Sequence, residues 1–592
     1  MKTLGRLQNE DHTALIVPAL NDTNTTVRSA VYFALGQIGD ERAAVPLAAR
    51  LRREASLRLL NEGVKALGKM GGTAASAGSA SYLKHEHPLI RAEACYALGR
   101  MEDSTQTAQL VALLGDESDD VRAAAAYAIE KSGQEEFASG LAPLFRDESP
   151  VVREFAIRAA GKLGDASTVL AGSHLLRDES WRVRVNSARA MGEVGGPDAA
   201  AALVEALTIP TDHMITRVTI VQALGATGEQ AARPALERIL LGEAGPLTLP
   251  ALRAIARLPG EGSIEQLRVF HDAENAAIRE AAWEEGARIA EREEYAAHLA
   301  QFWNTDDARV KKGIVAGLAA RERPPLDFLV SALDVKDAPT LVLAADAIGE
   351  HGGPGEREAL QRLYWSHPGA TTEDGEVRLV ALSALIALGG DPPGDRDPGA
   401  IERDSLFQAA LLDTDERVRR EASSFFTDHG VKFVPPAAAD TLLSPGFLAG
   451  IESGTATIET ERGTIRVELL AEEAPVTVRN FMKLASEGYY DGLVFHRVVP
   501  NFVIQAGCPR GDGWGDPGYS IRCEYNPVRY DRYVMGMALS GKDTGGSQWF
   551  ITQTPQPHLD GRYTVFGRVI DGFDVVDQTL QGDPIMAIRV EP

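Results

Sequence analysis

The stretch VFHRVVPNFVIQAG, from Val494 to Gly507, sets a cation among apolar residues. Arg497 stands in its first half, Gln505 near its end, and no Asp or Glu lies within four residues of the arginine. A guanidinium keeps its proton, so Arg497 is a fixed charge and hydrogen-bond donor. The stretch alternates like a strand, bends at Pro500-Asn501 and alternates again, which puts Val503 and Gln505 on one face. Other chemistry-bearing residues carry less. His85 and His87 in KHEHP have no further ligands at metal-site spacing. Cys95, Cys508 and Cys523 form no CxxC or Cys/His motif; Cys508 and Cys523 are near enough to meet across a loop, but free thiols are expected. RGDGWGDPG, Arg510 to Gly518, is glycine-rich without running from a strand into a helix, so it reads as a surface loop rather than a phosphate cradle.

The elements around Arg497 are short strands. TATIETERGTIRVEL reads as a hairpin turning near Arg462-Gly463, and APVTVRNFMKLASEGYY as a helix with Pro475 in its first turn. LVFHRVV, FVIQAG, VMGMAL, QWFITQ and YTVFGRV follow as strands. Many short strands with two helices suggest a closed barrel.

Three motifs in order, FHRVVPNFVIQAG, MALSGKDTGGSQWFIT and HLDGRYTVFGRVIDG, closely resemble the cyclophilins, peptidyl-prolyl cis-trans isomerases, over about Gly454 to Pro592. The resemblance implies an eight-stranded antiparallel barrel closed by two helices, with the active site on its outer face. It places the catalytic arginine at Arg497 and the hydrogen-bonding glutamine at Gln505. The apolar proline pocket falls on Phe502, Val503, Phe550, Leu559 and Tyr563, a second rim glutamine on Gln548, and the segment binding client backbone on Ala538 and Leu539. Leu539 stands where Asn is frequent, Ala506 and Cys508 where Gly and Asp are, and His558 where many members carry Trp. An imidazole there offers less apolar area and a differently placed donor, so cyclosporin binding is expected to be weak.

The residue types suit that chemistry. Resonance gives an amide a rotation barrier of about 18–20 kcal/mol. When an X-Pro bond twists, the nitrogen recovers its lone pair and becomes an acceptor. A donor aimed at that nitrogen binds the twisted state better than the planar one, which is the condition for catalysis. A permanent cation beside Phe502, Phe550 and Leu559 meets it, with Gln505 holding the carbonyl side or orienting the arginine. No metal, cofactor or covalent intermediate is implied.

The rest of the 592 residues is self-similar. DESDDVRAAAAYAIEKSG, DESPVVREFAIRAAGKLGD and DESWRVRVNSARAMGEVGG each place an Arg six positions after an Asp: Asp116/Arg122, Asp147/Arg153, Asp178/Arg184; Asp22/Arg28 and Asp413/Arg419 match. Arg28, Arg58, Arg91, Arg122, Arg153, Arg184 and Arg217 stand 30 to 33 residues apart, and Arg279 falls two periods on. A fixed period near 31 residues marks a solenoid of helix pairs, in which only stacking makes a continuous core. These units resemble HEAT-like repeats over about residues 1–430, strongly from Asp22 to Gly228 and weakly afterwards. In that family the turn residues stack into a structural hydrogen-bonded ladder. SHPGATTEDGE and GGDPPGDRDPGAIERD read as loop insertions, and VPPAAADTLLSPGFLAG as a connector.

The expected architecture is therefore multidomain: an all-α HEAT-like solenoid over 1–430, a linker at 431–452, and a cyclophilin-like closed antiparallel β-barrel with two helices at 453–592. The expected activity is isomerisation of X-Pro bonds in protein clients, with the solenoid as a protein-docking scaffold. The alternative is a non-catalytic scaffold that binds proline-containing segments, which the intact Arg497 and Gln505 disfavour. A net charge of −24 argues against nucleic-acid binding and against docking on an anionic membrane, and no run of 18 apolar residues exists to span one. TLGRLQNEDHTALIVPALND lines up with ALGRMEDSTQTAQLVALLGD, so the chain starts inside a repeat. An upstream extension is expected; location is cytoplasmic as the chain stands, exported or periplasmic if that extension carries a signal.

Overall fold

The computed structural model describes residues 8–591 apart from 211–212, 243–244, 259–262, 370, 389–404 and 429–453. The linker at 431–452, the insertion GGDPPGDRDPGAIERD and the first residues of the chain lie outside the described residues.

Two compact units make up the chain: Met1–Ala235 with Leu448–Gly513 and Ile521–Pro592, and Leu236–Phe447 with Trp514–Ser520. In the first, seven regular helices recur at the expected period: α1 (Thr25–Ile38), α2 (Leu57–Met70), α3 (Pro88–Arg100), α4 (Asp119–Ser132), α5 (Pro150–Leu163), α6 (Trp181–Val194) and α7 (Met214–Ala226). Each is preceded by a short, often 3-10, partner. In α4 the run Ala123 to Ala126 is buried, and Gly133, at φ 67°, ends the helix in the left-handed region that favours glycine. Successive helices cross at small residues. A Cβ on Gly68 would stand 2.6 Å from the Ala97 Cα, and one on Gly161 2.7 Å from the Ala190 Cα, so only glycine permits this approach.

The Asp and Arg of the repeat motif stack into a ladder. Arg122 and Arg153 each bind the main chain of the aspartate six residues before them and the side chain of the next repeat's aspartate. Arg122 Nη1 donates to the Asp116 carbonyl at 2.9 Å, while its Nε and Nη2 hold both Asp147 oxygens at 2.8 and 2.9 Å. Arg153 does the same with Asp147 and Asp178, and Arg91 reaches Asp116. These side-chain pairs join neighbouring repeats and are structural. Arg28 pairs instead with Glu54, and Arg58 leaves the ladder, exposed beside Glu62.

The second unit is also built of packed helices, with a smaller core cluster around Leu252, Leu267 and Ala281 and a larger one that includes Phe302, Ile314, Leu329, Ile348, Leu360 and Phe426. Here Arg378 grips both Asp413 oxygens at 2.7 Å. Thr372–Ala387 is a helix capped by Thr371, so the second half of SHPGATTEDGE belongs to a helix rather than to an insertion.

The C-terminal part of the first unit is one curled antiparallel sheet: β1 (Thr455–Thr460), β2 (Gly463–Leu469), β3 (Arg497–Val499), β4 (Val503–Ala506), β5 (Val534–Met537), β6 (Trp549–Thr552), β7 (Val565–Asp571) and β8 (Ile585–Glu591), ordered β3-β4-β6-β5-β7-β2-β1-β8. Helices α8 (Pro475–Ser486) and α9 (Phe573–Gln578) accompany it. The inner face is filled by Phe481, Phe495, Trp549 and Phe566. The expected closed barrel is corrected in one respect: among the described residues no ladder joins β3 to β8. The seam is spanned by the bridge Val494–Pro584 and by Phe495 N donating to the Asp583 carbonyl. For the same reason the strand read over LVFHRVV narrows to Arg497–Val499, since Leu493 to Phe495 bond across the seam. None of the three cysteines is in a disulfide.

Within this unit the sheet domain is held by the solenoid's regular helices. Lys65 of α2 pairs with Asp560 at 2.6 Å; Arg100 of α3 lies 3.7 Å from the same carboxylate and donates to the Pro557 carbonyl. Glu93 of α3 bridges Arg100 and Arg529, and Glu154 of α5 lies 3.6 Å from Arg532. Arg182 of α6 binds Asp577 at 2.7 Å and the Tyr533 hydroxyl at 2.9 Å, and its own carbonyl accepts from Asn501 Nδ2. Val185, Ile215 and Leu580 add an apolar contact beside Trp181 and Met214.

Candidate active site

The sequence of β3, turn and β4 places Arg497 directly opposite Gln505 in the antiparallel register. Asn501 takes the turn's left-handed position at φ 58°, its N–H donating to Gln553 Oε1. Arg497 Nη1 donates to Gln505 Oε1 at 3.2 Å, Gln505 Nε2 to Gln548 Oε1 at 3.1 Å, and Gln548 Nε2 to the Gly513 carbonyl at 2.8 Å. This relay fixes the orientation of both amides, turning the Gln505 oxygen toward the arginine and the Gln548 oxygen toward Gln505. The guanidinium lies 5.6 Å over the Phe502 ring, and among the described residues no carboxylate forms an ion pair with it. Burial of its stem lowers its pKa, which Tyr563 opposes. The arginine keeps its charge, with unspent donors, over an apolar floor.

That floor is the cluster containing Val503, Tyr530, Phe550 and Leu559, with Phe502, Ala538 and Tyr563 packed against it. The residues named from sequence thus converge from β4, β6 and the loops around Ala538 and Leu559. Tyr563 meets Phe550 edge-on at 5.9 Å, and Tyr530, which sequence reasoning did not single out, stacks beneath Phe550 at 5.5 Å. His558 stacks on Phe502 at 5.7 Å on the 3-10 turn Pro557–Leu559. Leu539 is half-buried. The N–H of Ala538 donates to the Gln548 carbonyl and is committed to the fold, so it is not what this segment offers a client's backbone.

Asp560 and Asn501 were also missed. Each flanks pocket residues and is bonded to the solenoid. HLDGRY contains Asp560, but nothing in that motif signals a partner some 460–500 residues earlier in the chain.

His85 and His87 are explained without a metal: His87 Nδ1 caps α3 by accepting from Leu89 N, and His85 Nδ1 accepts from His87 N. Among the described residues no group of His, Cys, Asp and Glu could hold a metal ion. No described helix is long and apolar enough to cross a membrane.

Two histidines flank the relay. Burial pushes His558 down to about 4, aided by the charges of Lys131, Arg158 and Arg562. Burial likewise pushes His496 to about 4. Both are neutral well below their ordinary range, so no residue of the constellation changes charge between about pH 5 and pH 8. The rate of isomerisation is therefore expected to be flat across that window in NMR exchange measurements on a non-ionising peptide. An inflection between pH 6 and 7, the ordinary histidine range, would contradict this arrangement.

An arginine over an apolar floor, oriented by a glutamine relay on a curled eight-stranded sheet, is the arrangement expected of an isomerase of prolyl bonds. Residues 455–588 match the family of cyclophilin type peptidyl-prolyl cis-trans isomerases, and residues 1–68, 58–130, 78–149, 138–216 and 174–249 match HEAT repeats. Peptidyl-prolyl cis-trans isomerase B of Bacillus subtilis is 54% identical over 129 residues, 22% of this chain and 90% of that protein. A peptidyl-prolyl cis-trans isomerase of Synechococcus elongatus is 49% identical over 137 residues, 23% of this chain and 94% of that protein. One from Helicobacter pylori is 49% identical over 137 residues, 22% of this chain and 84% of that protein. The chain belongs to the cyclophilin-type peptidyl-prolyl cis-trans isomerases and carries HEAT repeats ahead of its isomerase domain.

Proposed function

We propose that the chain isomerises X-Pro bonds in protein clients, with Arg497 donating to the proline nitrogen as the bond twists. The observation that carries this reading is the uncommitted guanidinium over the Phe502 ring, held by Gln505. Phe502, Val503, Phe550, Leu559 and Tyr563 seat the proline ring. Gln505 and Gln548 orient the arginine, and Gln505 also faces the client carbonyl. Leu539 and the remaining polar groups beside Ala538 bind the client's main chain, and His558 closes one side. The imidazole on Phe502 stands where an indole would favour cyclosporin, so that ligand binds weakly in this reading. The HEAT repeats serve as a protein-docking scaffold, the extended helical surface of such arrays being suited to it. The full chain is expected to accelerate cis/trans exchange of an Ala-Pro peptide well above the uncatalysed rate of tens to hundreds of seconds. An exchange rate unaltered by stoichiometric protein would refute the reading.

A further inference from the structure

The solenoid does more than carry the isomerase. Its regular helices present the same face to the domain at i, i+4 and i+7. On α3 both ends of that face are engaged, through Glu93 and Arg100. On α5 and α6 the engaged residues are near the helix starts: Glu154 lies against Arg532, and Arg182 against Asp577. Arg158 is four residues beyond Glu154 and Arg189 seven beyond Arg182, so both share the engaged face yet lie further along it. Lys131 ends α4, between α3 and α5, and Glu130 beside it holds Arg158 at 2.7 Å.

The pocket rim is fixed at two places against these helices. Asn501, next to Phe502, bonds the Arg182 carbonyl on α6 at 2.7 Å; on either side of His558 and Leu559, the Pro557 carbonyl accepts from Arg100 on α3 and Asp560, 3.7 Å from Arg100, pairs with Lys65 on α2. The His558–Phe502 stack therefore hangs over α4 and α5. The charges of Lys131 and Arg158 are felt at the imidazole, in agreement with that placement.

Counting what faces this region from every neighbouring helix gives a cationic surface. Lys131, Arg158, Lys162 and Arg189 stand against three carboxylates: Glu130, 2.7 Å from Arg158 and 3.9 Å from Lys131; Glu154, which also faces Arg532; and Glu193, paired with Lys162. Exposed Arg562 adds a charge from the isomerase side, and Asp560 is spent on Lys65 and Arg100. This occurs in a chain whose net charge is −24.

We propose that Lys131, Arg158 and Arg189 of the solenoid form a cationic wall beside the prolyl pocket and select X-Pro segments with Asp or Glu within a few residues of the proline. The proposal rests on the isomerase reading and names its client class. The wall touches the client's flank rather than the twisting bond, so it acts on KM more than on kcat. Each exposed charge pair a few ångströms apart contributes modestly in water and is screened by salt.

The test is NMR exchange on three peptides that differ only in having Glu, Gln or Lys two positions before an Ala-Pro bond, with a second set varied two positions after it. The full chain is expected to show kcat/KM about fivefold higher for Glu than for Lys in at least one set at low salt, carried by KM and fading by about 0.5 M salt. In the Lys131→Glu, Arg189→Glu double variant the ratio should fall to about one or invert. Lys131→Glu alone, at the end of α4, should lower it part of the way if the double variant does not fold. Equal kcat/KM for Glu and Lys peptides in both sets would overturn the proposal. So would a ratio that survives the variants, which would assign the preference to Arg562. Turnover of the Gln peptide by the unaltered chain reports separately on the isomerase reading; its absence would remove both.

Discussion

Arg497→Ala is expected to lower kcat/KM of the full chain about 10²–10³-fold, the range for a donor that acts where charge develops in a transition state. The loss should appear in kcat, because the proline ring is seated by Phe502, Phe550 and Leu559, which the substitution leaves in place. The fold should persist. Arg497 is exposed on edge strand β3, and its one hydrogen bond, to Gln505, is to a neutral amide half-open to solvent. Lysine is a poor substitute: it keeps the charge but has no planar fork with which to hold Gln505 and the proline nitrogen at once. Arg497→Lys should therefore recover only part of the rate. A folded Arg497→Ala chain of full activity in NMR exchange would remove Arg497 from the mechanism.

What could be read from the sequence divides along the range of the interactions. Local pattern sufficed for the repeat helices, because an Arg every 31 residues or so and an alanine-rich face recur in each unit. It sufficed for the β3–β4 hairpin, where alternation put Arg497 across from Gln505. The resemblance to the cyclophilins assigned Phe502, Val503, Phe550, Leu559 and Tyr563 to one pocket, and the structure clusters them. The repeat motif also announced the ladder but not its register: the Asp and Arg of one motif meet through main chain, and the side-chain partner lies 25 residues on. The closed barrel was misjudged because closure depends on whether two distant edges align, and residues 492–495 bridge the gap without a ladder. The union of solenoid and isomerase left no sequence signal. Glu93, Arg100, Glu154 and Arg182 look like surface charges in helices, and only the tertiary structure brings them to partners hundreds of residues away.

Asp560→Ala is expected to loosen the isomerase domain's hold on the solenoid by about 3 kcal/mol, at the lower end for a buried ion pair that loses one member. The carboxylate is 4% exposed and answers Lys65 at 2.6 Å and Arg100 at 3.7 Å, and it also accepts from the Tyr530 N–H at 2.8 Å. Its loss removes the ion-pair partner of Lys65 and leaves both Lys65 and Arg100 to Glu93, which Arg529 already shares. Burial raises the Asp560 pKa, but Lys65 and Arg100 outweigh it and hold the group below its ordinary 3.8. The sign follows: the unfolded chain takes up this proton at the higher pH, so the stabilisation is complete above about pH 4 and fades as acid reaches the lower folded value. Hydrogen exchange at neutral pH should show residues 557–563 and the facing parts of α2 and α3 opening about a hundredfold more in the variant. Asp560→Asn, which can still accept from Tyr530 but carries no charge, should lose most of the same protection. In Lys65→Met the further cost of removing Asp560 should shrink, because the two residues act as one pair. Unchanged exchange in Asp560→Ala, or full additivity with Lys65→Met, would mean that this carboxylate does not tie the pocket to the repeats.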